Sequence, residues 1–130
     1  MQEKFPERFG SIAELEAQLC IPHPELIAMM KRLDGDIMIL GVAGKMGVTM
    51  AIQAVNAIKA ANVSKRVIGV ARFSNADERT KLEAAGVETV VCNLLDREQV
   101  SQLEKVDNII FMAGRKFGTV LTPLFFFFPA

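Results

Sequence analysis

Four short apolar segments, each separated from the next by a helical pattern, alternate along the chain from residue 36 onward. The segments read DIMILG, RVIGVAR, ETVVCNLL and NIIFMAG, and the first two have the uninterrupted apolar centres of strands buried on both faces. Strands that alternate with crossover helices form a parallel sheet with right-handed connections. The alternation therefore predicts an α/β fold of Rossmann type over residues 36–118, with about four strands in the order 3-2-1-4.

The intervening helices are marked by apolar spacing and by capping residues. Apolar side chains recur at helical spacing from Lys45 to about Ala61, which predicts the first crossover helix. Ser74 with Asp77 is expected to cap the next helix, which ends before Val87. A third helix is expected to start after Asp96 and to carry Val100, Leu103 and Val106.

Residues 1–35 are predicted to form a helical extension ahead of the sheet. Ser11 and Glu14 have the spacing of a capping box, and an apolar face follows them, formed by Ile12, Leu15 and Leu19. Pro24 can open a second helix that ends near Asp34, because proline fits the first turn of a helix but not its interior.

The charge distribution suits a phosphate-bearing ligand. The formal net charge is zero, so the chain as a whole does not match nucleic acid or an acidic membrane. Yet residues 37–76 contain no Asp or Glu. The basic residues of this segment form the group Lys45, Lys59, Lys65, Arg66 and Arg72. Alternatively, Lys59, Lys65 and Arg66 form the solvated far end of a helix.

The remaining reactive side chains favour a structural role. Cys20 and Cys92 lie far apart without a C-x-x-C spacing, so we expect reduced thiols. His23 is the only histidine and lies outside any cluster of potential ligands, so we expect it to cap a helix or to lie at the surface. The first ten residues are too polar for a signal peptide, which favours a cytoplasmic location. These patterns indicate no metal site.

Three glycines stand where the first strand gives way to the first crossover helix. Gly41, Gly44 and Gly47 form G-x-x-G-x-x-G, a spacing that lets backbone N–H groups and a helix N-terminus meet a pyrophosphate. A mononucleotide P-loop is excluded, because Ile39 occupies the position of its first glycine and Met46 that of its Ser or Thr. The motif predicts dinucleotide binding; a merely tight turn is the alternative.

The end of the second strand favours NADP over NAD. An acidic residue there would bind a ribose 2′-hydroxyl, but the sequence reads VARFS and places Arg72 at this point. A guanidinium suits a 2′-phosphate, and Lys45 adds a second positive charge. The alternative is a basic strand end that faces solvent.

With these residues placed, residues 36–118 resemble the N-terminal part of the NAD-dependent epimerase/dehydratase family of extended short-chain dehydrogenases/reductases. The resemblance is carried by GVAGKMG, by CNLLD after the third strand, and by FMAGRK after the fourth. It implies that Asn93 and Leu94 lie beside the adenine, and that the segment after the fourth strand lines the ribose, pyrophosphate and nicotinamide. The expected cofactor-binding residues are Gly41, Gly44, Lys45, Met46, Gly47, Arg72, Asn93, Leu94, Met112, Ala113, Gly114 and Lys116.

The resemblance also implies a reaction, oxidoreduction or epimerisation of a nucleotide-sugar-like substrate through hydride transfer to the nicotinamide. In the family, a Y-x-x-x-K pair exchanges the proton, and this chain contains no tyrosine. We therefore identify no catalytic residue and expect a cofactor-binding portion that is inactive alone. The alternative is a non-catalytic dinucleotide-binding or regulatory module that forms a homo-oligomer or joins another chain through the edge of its fourth strand.

Residues 119–130 form an apolar tail that departs from the alternation. The sequence VLTPLFFFFPA suits neither a crossover helix nor a half-exposed strand, and it is too short to span a bilayer. We interpret it as the product of a truncated or frame-shifted reading frame. The alternative is an apolar cap over the fourth strand.

Overall fold

The structure, a computed structural model, describes residues 5–114. Its elements in chain order are α1 (Ile12–Leu19), α2 (Pro24–Arg32), β1 (Ile37–Leu40), α3 (Gly47–Ala61), β2 (Val67–Ala71), α4 (Ala76–Ala85), β3 (Glu88–Val91), α5 (Arg97–Ser101) and β4 (Asn108–Phe111). Lys116 and the apolar tail lie outside the described residues, so the expectations for them stay predictions.

The four strands form one all-parallel sheet in the order β3-β2-β1-β4, which confirms the predicted α/β fold and strand order. The register pairs Leu40 of β1 with Val70 of β2 on one side and with Phe111 of β4 on the other. The two central strands are almost wholly buried, whereas β3 and β4 are largely exposed at the edges. Continuous apolar runs therefore occupy the centre, where both faces need them.

The two faces of the sheet carry separate apolar clusters. On the first face, α2, α3 and α4 cover side chains of β1 and β2, including Ile39 and Val67, and Leu82 of α4 is completely buried. On the second face, Met38, Ile68, Val70 and Cys92 form a smaller cluster. The core therefore lies mainly between the sheet and the three helices of the first face.

Two helices begin or end at residues that differ from the predictions. The N-cap of α4 is Asn75, not Ser74, because the Asn75 side chain accepts a hydrogen bond from the Asp77 N–H. Asp96 caps α5 as predicted, but the helix ends at Ser101. Beyond that end, irregular chain still packs two of the predicted apolar side chains against the second face, namely Leu103 and Val106.

The two N-terminal helices differ in how they attach to the sheet. Ser11 caps α1 as predicted, yet no residue of α1 is buried, and Ile12 on its apolar face is 77% exposed. In contrast, α2 inserts Met30, which is only 2% exposed, into the cluster of the first face. The Gln53 and Asn56 side chains of α3 donate to carbonyls of the α1–α2 connection. The second helix of the extension therefore belongs to the core.

Within residues 5–114, no helix is long and apolar enough to cross a membrane.

We predict that Met30→Ala lowers the free energy of unfolding of the whole domain by about 2 to 5 kcal/mol, because it leaves a cavity under α2. Met29→Ala is the matched control; its side chain is 37% exposed, and we expect a loss of about 1 kcal/mol or less. Urea denaturation followed by circular dichroism measures both. Two separate transitions, with Met30→Ala affecting only one, would show instead that α2 folds independently.

Candidate functional site

The carboxyl ends of all four strands meet at one edge of the sheet. The Met112 N–H donates to the Leu40 carbonyl at 2.8 Å, and the Cys92 N–H donates to the Ala71 carbonyl at 2.9 Å, so the pairing continues just past the strands. The segments that follow the strands therefore lie side by side, and they contain all the predicted cofactor-binding residues within the described part of the chain. We call this edge the carboxyl edge.

Gly41 turns the chain directly after β1. Its φ of 85° lies in the left-handed region that favours glycine. A Cβ at this position would lie 2.5 Å from the backbone nitrogen of Ala113, so a side chain would collide with the segment after β4. The first predicted glycine thus brings the loop after β1 against Ala113, another predicted residue.

Gly47 lets α3 approach the end of β1. A Cβ on Gly47 would lie 2.2 Å from the carbonyl oxygen of Val42, and Gly47 itself is buried. The Val42 side chain, 0% exposed, in turn lies over Gly69 of β2, where a Cβ would meet it at 2.9 Å. Gly47 therefore has the close helix-to-strand packing role that the motif predicted.

Gly44 faces away from the protein. A Cβ there would meet only the Gly41 carbonyl oxygen, at an ordinary 3.4 Å, and the residue is exposed. The backbone N–H groups of Lys45, Met46 and Val48 donate to no acceptor within residues 5–114. The first turn of α3 also contains no acidic residue and has no side-chain cap. This turn therefore presents free donors and the positive end of a fifteen-residue helix, the features that bind a phosphate.

The basic group of residues 37–76 divides between the two ends of the sheet. Lys45 and Arg72 are exposed on the carboxyl edge, and neither forms an ion pair within the described residues. Lys65, at the opposite end, donates to the carbonyls of Leu33 and Gly35 at 2.5 and 2.9 Å. The Lys65 ammonium is thus bound to backbone carbonyls at the amino end of the sheet. Lys45 and Arg72 are the two members of this group that lie at the carboxyl edge, where they can meet a ligand.

Arg66 lies beside Lys65 and contacts three carboxylates. Its guanidinium binds Glu104 through two hydrogen bonds of 2.9 Å, Glu88 at 2.7 Å and Asp36 at 3.3 Å. The hydrogen bonds with Glu104 and then Glu88 raise the pKa of Arg66, and the same contact lowers the pKa of Glu104. Arg66 therefore joins the amino ends of β1, β2 and β3 to the segment after α5.

Phe73 shapes the turn that follows Arg72, and the sequence patterns did not single it out. Its φ is 52°, a conformation that is unusual for a bulky residue. Its ring packs against the cluster of the first face and lies 5.9 Å below the guanidinium carbon of Arg79. Phe73 therefore packs into the core directly after Arg72, whose own side chain is exposed.

The segment after β3 is held by a compact set of hydrogen bonds. The Asn93 N–H donates to Gln99 Oε1 at 2.9 Å, and Asn93 Oδ1 accepts from the Leu95 N–H at 3.0 Å. Gln99 Nε2 donates to Asp96 Oδ2 at 2.9 Å. Leu94 is half-buried against the second face, whereas Leu95, which was not among the predicted cofactor-binding residues, is 73% exposed.

The segment after β4 completes the carboxyl edge. Met112 is half-buried against the cluster of the first face, and Ala113 lies beside Gly41. Gly114 is exposed, and a Cβ on it would have no neighbour within 4 Å among residues 5–114. The described structure therefore brings the predicted residues of all four strand ends to one edge.

The described histidine and cysteines have structural positions, and residues 5–114 contain no metal-binding cluster. His23 caps α2 as expected, since its Nδ1 accepts from the Glu25 N–H at 3.3 Å. Both cysteines are free as expected, and burial raises the pKa of each thiol, which disfavours the nucleophilic thiolate. Residues 5–114 contain no group of three or more His, Cys, Asp or Glu side chains able to hold a metal ion.

Two concave regions lie away from the glycine loop. One, of about 170 Å³, is an apolar cavity between α2, α3, β1 and β4, and its lining includes Met30 and Ile110. The other lies beside Arg66 and Glu88 at the amino end of β3. Neither lining includes a residue of the glycine loop.

A scan against protein-family models finds no match for this chain, and a search of curated proteins finds none.

We predict that Gly47→Ala lowers the free energy of unfolding by about 1 to 3 kcal/mol, because the added methyl group overlaps the Val42 carbonyl. Gly44→Ala is the matched control within the same loop. Its methyl group would make only an ordinary contact with the Gly41 carbonyl oxygen, so its effect should stay within about 0.5 kcal/mol. Chemical denaturation compares the two variants, and equal losses would contradict the close packing described at Gly47.

Proposed function

We propose that the carboxyl edge binds a nicotinamide dinucleotide, NADP in preference to NAD. The observation that carries this proposal is the first turn of α3, where an exposed Gly44 is followed by backbone N–H groups that have no acceptor within residues 5–114, with Lys45 beside them. A pyrophosphate fits this turn because the donors and the helix terminus complement its charge. Glycine at position 44 leaves room for the phosphate to approach the backbone.

The other strand ends fit the rest of such a ligand. Arg72, exposed and without an ion pair among the described residues, would hold the 2′-phosphate of NADP. The segment after β3, with Asn93 and Leu94, would lie beside the adenine. On the other side of the loop, the segment after β4 would meet the nicotinamide half, with Met112, Ala113 and Gly114; the family resemblance adds Lys116.

The resemblance further suggests that this edge is the cofactor-binding portion of an epimerase/dehydratase-like oxidoreductase acting on a nucleotide-sugar-like substrate. When bound, the nicotinamide supplies hydride transfer. The 130 residues contain no tyrosine to exchange the substrate proton, and burial raises the pKa of both cysteine thiols. We therefore propose that this chain binds and orients the cofactor but does not turn over substrate alone.

We predict that Arg72→Ala weakens NADP binding roughly tenfold to a hundredfold and leaves NAD binding unchanged, because only NADP has a 2′-phosphate for a charge-assisted hydrogen bond. Isothermal titration calorimetry of both dinucleotides measures the change. Lys59→Ala, which removes an exposed positive charge from the last turn of α3, is the control and should leave both affinities intact. Equal binding of NAD and NADP, unaltered by Arg72→Ala, would contradict the NADP assignment.

A second candidate function is a non-catalytic dinucleotide-binding or regulatory module that joins another chain. The observation that favours it is the exposed apolar surface of the edge strand β4, where Ile109 is 57% exposed and Phe111 is 69% exposed. Edge strands with such surfaces pair readily with other strands.

For this module we expect a discrete oligomer whose elution in size-exclusion chromatography shifts when NADP is added. Phe111→Ser should reduce the oligomer, because it removes apolar area from the β4 edge. Val91→Ser, at the exposed edge strand β3, is the control and should not. Heterogeneous aggregates that are insensitive to NADP would argue against a module and for a defective fragment.

A further inference from the structure

The two edge strands of the sheet differ in the charges that accompany them. On β3, Glu88 accepts a hydrogen bond from Arg66 at 2.7 Å. The next residue, Thr89, accepts one from Arg79 at 3.0 Å. On β4 and just beyond it, residues 108–114 read NIIFMAG and contain no charged residue and no proline. Charged side chains and prolines keep edge strands from pairing with other chains, so β4 lacks a protection that β3 has.

The side chains of β4 are apolar on both faces of the sheet. Ile109 and Phe111 are 57% and 69% exposed. The register pairs them with Met38 and Leu40, so they project from the second face. Ile110 projects from the first face and is 36% exposed. An uninterrupted apolar run is typical of a central strand in a parallel sheet, although β4 ends the described sheet.

The direction of the backbone groups limits how another strand can pair with β4. The Met112 N–H donates to the Leu40 carbonyl, so Met112 directs its backbone groups toward β1. These groups alternate in direction along a strand. Those of Ile110 therefore also point toward β1, whereas those of Ile109 and Phe111 point toward the free edge. No described strand pairs with that side of β4.

We propose that a second copy of this chain pairs with β4 in antiparallel orientation, across a twofold axis at Ile110. Ile109 of each copy then lies opposite Phe111 of the other, so the backbone groups that point toward the free edge bond in pairs. The same register joins exposed isoleucine to exposed phenylalanine, a favourable cross-strand pair. A register centred on Ile109 would place Asp107 opposite Phe111, and one centred on Phe111 would leave Ile109 opposite the smaller Ala113.

With this pairing, the other chain of the second candidate function, on which the proposal rests, is a second copy. Dinucleotide binding is not required for it. Antiparallel pairing joins the two four-stranded sheets into one of eight strands and directs their carboxyl edges to opposite ends. The two glycine loops therefore lie on opposite sides of the axis.

Disulfide cross-linking of the full chain with a mild oxidant tests the register. Cys20→Ser is the background, since Cys20 is only half-buried whereas Cys92 is buried. Ile110→Cys places two thiols directly opposite each other, with Cα atoms about 4.5 Å apart, where a disulfide can form. Ile109→Cys places them as diagonal neighbours about 7 to 8 Å apart, which is too far. We expect roughly fivefold more cross-linked dimer for Ile110→Cys than for Ile109→Cys or for Val91→Cys on β3.

A charge at the free edge should separate the two copies. Ile109→Lys should raise the dimer dissociation constant about tenfold or more in sedimentation velocity, because lysine at an edge opposes strand pairing. Val91→Lys, at an exposed position of β3, is the matched control and should leave the constant unchanged. Circular dichroism checks that both variants remain folded.

The cross-link is measured without a dinucleotide, so a failure to bind NADP would count against the cofactor assignment and not against the pairing. A dimer that gives no preferential Ile110→Cys cross-link would overturn the pairing and leave association through another surface. A chain that stays monomeric at every concentration would also overturn it, and the β4 edge would then be left to the apolar tail or to a different protein.

Discussion

The close approach of α3 to the end of β1 is the contact on which the rest of the structure depends. The absence of a side chain at Gly47 lets the first turn of the helix meet the carbonyl of Val42, and the absence of one at Gly69 lets Val42 pack onto the sheet. A larger residue at either position would separate the helix from the strand or displace the loop. The same contact brings the free N–H groups at the start of α3 to the carboxyl edge. Packing and the candidate phosphate site are therefore consequences of one backbone geometry.

Charge is separated between the two ends of the sheet. At the amino end, Arg66 is neutralised by three carboxylates, and Lys65 is held by backbone carbonyls. At the carboxyl end, Lys45 and Arg72 have no carboxylate partner within residues 5–114. Of these two ends of the sheet, the carboxyl edge therefore has the charge that suits a ligand with several phosphates, and the N-terminus of α3 also lies there.

The two faces of the sheet are covered unequally. Three helices cover the first face, and α2 extends that cover over the β1–β4 pair, where Met30 and Ile110 line a shared cavity. On the second face, the described residues that pack against the small cluster are Leu40, Leu94, Leu103 and Val106, and none of them belongs to a helix. As a result, Ile109 and Phe111 remain exposed on β4. This unequal cover leaves apolar surface at the β4 edge, where another chain could pack.

The sequence by itself determined the alternation of strands and helices and the glycine turn. Apolar spacing and the conformational freedom of Gly41 act over a few neighbouring residues, so local patterns are enough to reveal them. Local patterns did not locate the start of α4 to the residue. Ser74 and Asn75 both have side chains that can cap a helix, and the folded structure selects Asn75. Only the tertiary structure decided which cations of residues 5–114 pair with carboxylates and which do not. Those outcomes depend on partners such as Asp36, Glu88 and Glu104 for Arg66, which are distant in the chain and meet only after the sheet has formed.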